Sequence, residues 1–204
     1  MSSERDYLTA AIPDAIRVFG ILLRPFSIGH HLILSRFKSP IIDGGAAEPD
    51  DVLFAVWVCG HTYEDAIEKL ATGEVEREMK RWQRAMNRWQ WFGLNPMLFS
   101  EYVAKVKLLR DHVESACRIP NLFTDGKDSD IGSPTIQVLR VTLQRDLHLS
   151  DTEILNRPLS QCWWDISTMI ELGGKGKIIS RDEYKEQQRK ADEWTEKFLA
   201  QRKQ

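Results

Sequence analysis

Cysteine is scarce in this chain of 204 residues: Cys59, Cys117 and Cys162 are odd in number and far apart. They form no C-x-x-C pair and no disulfide framework, which excludes a small stapled scaffold and a thiolate zinc site. An excess of one charge is also missing. Lys and Arg number 28 and Asp and Glu 30, a formal net charge of −2, so nothing pulls the whole chain toward nucleic acid or an anionic membrane. The longest apolar runs, "VFGILL" and "VLFAVWVCG", fall short of the ~20 residues a membrane span needs. The opening "MSSERDYLTA" lacks the basic-then-apolar order of a secretion signal. No G-x-S-x-G, Walker loop, dinucleotide fingerprint or H-E-x-x-H occurs. The expectation is a soluble cytoplasmic protein without a cofactor.

What is present is helix punctuation. Pro13 reads as the opening of a helix through "PDAIRVFGILL", and Ser27 as the cap of "IGHHLILSRF". Residues 38–50 read as a loop. "DVLFAVWVC" reads as a buried helix, its β-branched content leaving a strand open. Thr62 with Asp65, Ser150 with Glu153 and Ser180 with Glu183 have the spacing of capping boxes. Val75, Met79, Trp82, Met86 and Trp89 recur at alternating spacings of four and three, and Gly93 can end that helix. Asn95-Pro96 can start the next, in which Phe99, Tyr102, Val106, Leu109, Val113 and Ala116 keep the same rhythm. Two such helices on a short connection predict an antiparallel hairpin. Residues 119–133, "IPNLFTDGKDSDIGS", read as a domain boundary or mobile loop. Ser133-Pro134 and Pro158 each open a further helix, the second ending at Gly173-Gly174. A polar helix over 181–202 carries Tyr184, Ala191, Trp194 and Phe198 as a thin apolar stripe. The expected fold is all-α, one domain over 1–204, a multi-helix bundle around the 74–118 hairpin.

Interleaved arginine and tryptophan in "KRWQRAMNRWQWF" invite a single-stranded nucleic-acid reading. At about 100° per residue, Arg77, Arg81, Arg84 and Arg88 share one face while Met79, Trp82, Met86 and Trp89 share the opposite one. Only Trp91 leans toward the basic side. The tryptophans therefore belong to packing, and the arginine row is a surface for an acidic partner. Adjacent His30 and His31 point apart, and His61 follows Cys59 too closely for a zinc pair, so no metal site is expected. Arg24 and His30 match an Arg-x5-His spacing found in some helical ribonucleases, with Pro25 between them. The three cysteines sit in apolar patterns and read as buried small hydrophobes. "GGKGK" at 173–177 follows a helix instead of opening one, so it reads as helix termination, not a phosphate cradle.

The helix "PLSQCWWDISTMIEL" contains no Lys or Arg, and its Asp165 and Glu171 would repel phosphates, which argues against a DNA-reading helix. Leu159, Cys162, Trp163, Ile166, Met169 and Ile170 form its packing face, and Trp164 falls off that stripe as a docking ring. The stretch "LSDTEILNRPLSQCWWDISTMIELGG" resembles the C-terminal pattern of the tail assembly chaperones of tailed bacteriophages, over about residues 134–180. In that pattern an L-S-x-x-E-I-L-x-x-P-L turn precedes an aromatic helix and a glycine. "LRPFSIGHHLIL" is similar to phage structural-cluster proteins. The resemblance implies a non-enzymatic, oligomeric helical protein that coats a tape-measure or other tail protein in the host cytoplasm, or a minor virion component. Its contact groups would be Arg77, Arg81, Arg84, Arg88, Trp91 and Trp164. A nucleic-acid-associated protein using the arginine row, and a ribonuclease using Arg24 and His30, are the alternatives.

Overall fold

The computed structural model describes residues 7–8, 10–11, 14–91, 99–123 and 133–201. Among them lie ten helices and two short antiparallel ribbons, so the fold is all-α. The first element departs from expectation. No helix runs through 14–22. Instead β1 (Arg17–Val18) pairs with β2 (Ile21–Leu22), Arg17 opposite Leu22 and Val18 opposite Ile21. Phe19 (φ 50°) and Gly20 (φ 81°) both take the left-handed region, the backbone of a two-residue hairpin turn whose twist matches its strands. The burial here alternates: Val18 and Leu23 are buried while Arg17 and Leu22 face out. That is a period of two and not 3.6.

Ser27 caps α1 (Ile28–Arg36) as expected. Glycine and proline mark 38–50 as a loop, yet within it Ser39 caps a single turn, α2 (Pro40–Asp43), before Gly44. The centre of the core is α3 (Pro49–Gly60). After its acidic first turn, Val52, Leu53 and Ala55 through Cys59 are all buried, so the apolar run marks a helix enclosed on nearly every side. Each fully buried Val or larger apolar side chain here contributes about 1.5–3 kcal/mol. Thr62 caps α4 (Tyr63–Thr72), and Gly73 (φ 70°) ends it directly before α5 (Glu74–Trp91).

Then comes α6 (Phe99–Cys117). The connection on which the expected hairpin turns, 92–98, is outside the described residues. Among those described, α5 packs chiefly on α4 and α3, and α6 on α2 and a later helix, α9 (Leu159–Leu172). Part of the expected 119–133 loop is structured. Leu122–Phe123 forms β3 and pairs with β4 (Lys177–Ile178), Leu122 opposite Ile178, and Ile179 N donates to Asn121 O at 3.0 Å. Residues 124–132 lie outside the described ones.

The chain continues with α7 (Thr135–Leu147) and α8 (Asp151–Asn156), which carries the complete Ser150–Glu153 capping box. Pro158 precedes α9, and Gly173 caps its end as expected. Last comes α10 (Arg181–Gln201). α1 lies on α8 at very close range, made possible by Gly29. No helix among the described residues is long and apolar enough to cross a membrane.

Candidate partner-binding surface

Two arrangements of side chains stand out: a polar cluster inside the α3–α4–α5 corner, and a groove that runs onto α10.

The cluster centres on His61, at the C-terminal end of α3. Its Nδ1 lies 2.8 Å from Trp57 O, so Nδ1–H donates and Nε2 keeps its lone pair. That lone pair faces Lys69 Nζ at 3.1 Å. Lys69 also donates to Glu78 Oε1 at 3.0 Å, while Trp57 Nε1 donates to Glu78 Oε2 at 2.7 Å. Asp65 Oδ2 stands 3.7 Å from His61 Nε2. Burial by itself would raise the Glu78 carboxyl, but the Trp57 and Lys69 hydrogen bonds outweigh it and hold the group below its ordinary value. The bond to Glu78 in turn holds Lys69 above its own. Every strong donor here already has an acceptor within the protein, so the cluster ties three helices together. Among the described residues no set of three or more His, Cys, Asp or Glu is placed to hold a metal.

His30 is buried deeper, 2% exposed. Its Nδ1 accepts from Ser27 N at 3.1 Å, and its Nε2 donates to His61 O at 2.8 Å. Burial pushes its pKa down to about 4. Both ring nitrogens are engaged, so the Arg24–His30 spacing does not produce an exposed acid–base pair. Burial likewise raises the Cys59 and Cys162 thiols to about 12, which makes them packing groups.

The groove has a volume of about 830 Å³. Its walls come from the end of α6 (His112, Ala116) and Ile119 just beyond it, from Phe26, from Trp164 on α9 and from the start of α10 (Tyr184, Gln188). His112 Nε2 donates to Arg24 O at 3.0 Å, and its ring meets Phe26 edge-on. From this groove α10 carries on outward, exposed at every residue from 182 to 199. Trp194 is 66% exposed and stacks on Phe198 at 5.3 Å. A helix this exposed draws little stability from burial, and such helices are marginal in water on their own. Arg189 with Glu186 and Glu193, and Lys190 with Glu186, add intrahelical ion pairs of small individual worth.

Comparison with family models, with curated proteins and with solved structures returns no match.

Of the residues singled out in the sequence, Arg77, Arg81 and Arg84 are exposed on α5 and make no ion pair among the described residues. Their row lies outside the groove. The side chains of Arg88 and Trp91 are outside the described ones. Trp164 is half-buried, with Tyr7 packed edge-on against it at 5.5 Å. It is a wall of the groove, not a projecting ring. Sequence reasoning missed the groove, because its walls come from five separated segments. It also missed the His61 cluster, whose members come from α3, α4 and α5; only Asp65 and Lys69, four residues apart, lie on one face of the same helix.

Proposed function

We propose that this chain is a non-enzymatic interaction protein that docks a helical protein partner along α10 and into the adjoining groove. The observation that carries this reading is the apolar stripe of α10, with Trp194 two-thirds exposed and continuous with a groove walled by Trp164 and Tyr184. A large ring in such a setting is the side-chain type that anchors protein interfaces. Shielding an apolar helix of a tail protein until assembly is the task implied by the resemblance of residues 134–180 to tail assembly chaperones, and it fits this surface. The polar groups of the His61 cluster and of His30 are engaged inside the protein, which favours docking over catalysis at those sites.

The test is co-expression with a tape-measure protein. The intact chain is expected to keep it soluble and to co-purify with it. Trp194→Glu, checked for unchanged helicity by circular dichroism, is expected to cut recovery at least about tenfold, as loss of an interface anchor does. Undiminished recovery with Trp194→Glu would remove α10 from the interface. Failure of the intact chain to co-purify would remove the chaperone reading.

A second reading rests on the unpaired row Arg77, Arg81 and Arg84, which suits a polyanion. A steep loss of DNA or RNA binding with added salt would favour it. Trp82 argues the other way. It packs against the core, partly buried, instead of lying beside the arginines as a stacking platform.

A further inference from the structure

The arginine row of α5 lies outside the groove, and its own helix does not neutralise it. We infer that Arg77, Arg81 and Arg84 form a second docking surface, which takes a short acidic helix of a protein partner. No Asp or Glu occurs from Met79 to Ser100. The row has spacings of four and three along α5, so its members are neighbours on one helical face. All three are exposed, and none makes an ion pair among the described residues. Glu78 is the carboxylate one turn before Arg81, but its Oε1 accepts from Lys69 at 3.0 Å and its Oε2 from Trp57 at 2.7 Å. Glu76 stands 3.7 Å from Lys80. Like charges one helical turn apart weaken a helix, and Arg77 with Arg81, and Arg81 with Arg84, are such pairs. The fold therefore holds a repulsion that carboxylates brought from outside would relieve.

The size of the row chooses the occupant. From Arg77 to Arg84 it spans about 10 Å, at about 1.5 Å of helix rise per residue. Carboxylates at the same spacing on a partner helix span the same length, and each accepts from the planar fork of one guanidinium. A nucleic acid is a longer ligand. Duplex DNA carries a charge about every 1.7 Å, and its binding rests on neutralising many phosphates. Extended past the row toward the start of α5, it meets the exposed Glu74 and Glu76. Those carboxylates repel it, whereas a short acidic helix ends before them. The other side of α5 supplies no stacking ring, because Met79 and Trp82 pack against the core. For the same reason this stretch presents no apolar face to a membrane.

Two alanine-rich helical peptides test this with the full-length chain. One carries Glu at spacings of four and three, and its twin has Gln at the same positions. In an NMR titration the Glu peptide is expected to bind at least about tenfold more tightly, which three exposed ion pairs of ordinary strength supply together. It is expected to shift the amides of 77–84, and its advantage is expected to shrink as salt is added. Arg77→Gln/Arg81→Gln/Arg84→Gln is expected to keep an undiminished urea midpoint and to lose the preference. Equal binding of the two peptides, binding of neither, or a preference kept by the triple variant overturns the inference. A single-stranded oligonucleotide or short duplex of matched charge that binds more tightly than the Glu peptide at the same salt gives the row to nucleic acid and overturns it too. So does self-association, seen by sedimentation, that the triple variant dissolves. The docking role of α10 stands or falls separately. Trp194→Glu is expected to leave the Glu-peptide titration unchanged, and loss of binding in that variant would move the acidic helix to α10 and overturn the row.

Discussion

Gly29 shows how much one side chain decides here. A Cβ at this position would come within 2.6 Å of Tyr63 Cδ2 and 2.7 Å of Leu155 O. The carbonyl belongs to the backbone and cannot rotate away, so α1 would have to lift from α8. Gly29→Ala is expected to destabilise the protein by about 1–3 kcal/mol, the usual range for overpacking a close contact, read as a lower urea midpoint with little change in slope. An unchanged midpoint would mean that the two helices separate freely. The sequence placed Gly29 in a helix but said nothing of its neighbours, which are 34 and 126 residues away. By contrast, the capping residues Ser27, Thr62, Ser150 and Ser180 were legible at once, because a cap joins groups two or three residues apart. His30 shows both cases. Its cap partner Ser27 is local, whereas its other partner, His61 O, lies 31 residues on.

Among the elements, α3 and α10 are opposites. α3 is enclosed by apolar neighbours, while α10 is exposed along its length and held by its own ion pairs. Amide exchange should separate them. The α3 amides are expected to exchange only through global unfolding, and those of 190–199 nearly as fast as in a free helical peptide. Strong protection of 190–199 in the isolated chain would mean that a partner surface already covers α10. Both helices were legible because burial pattern and charge pattern repeat within each. The β1–β2 ribbon was not. Its strands are two residues long, and its turn is Phe-Gly, without the Asn-Gly or Asp-Gly that usually announces a hairpin. The loop expected at 119–133 hid β3 for a related reason: its partner strand is more than fifty residues away.

Across the whole molecule, buried histidines set the response to acid. His30 and His112 pack around Phe26, with His31 at its edge, and burial lowers all three pKa values. A neutral histidine favoured by the fold supports stability fully above about pH 6.5, where the unfolded chain is neutral too. As pH falls below that value the unfolded state takes up protons first, and stability is lost down to the folded value, about 4 for His30. For His30 alone that loss approaches about 3 kcal/mol. Urea midpoints are expected to be level above about pH 7 and to decline between about pH 6.5 and 4, with His30→Gln flattening part of the decline. A midpoint that does not move in this window would place the histidines in water.

The order of letters determined most of the helices and their caps, since those depend on periodicities and bonds that close within a few residues. It also determined the absence of metal and nucleophile motifs. Folding in three dimensions decided which faces meet. It built the groove from Phe26, His112, Ile119, Trp164 and Tyr184, put Tyr7 over Trp164, and left Trp194 uncovered. A surface assembled from segments more than a hundred residues apart depends on how helices cross and pack, and no local pattern records that.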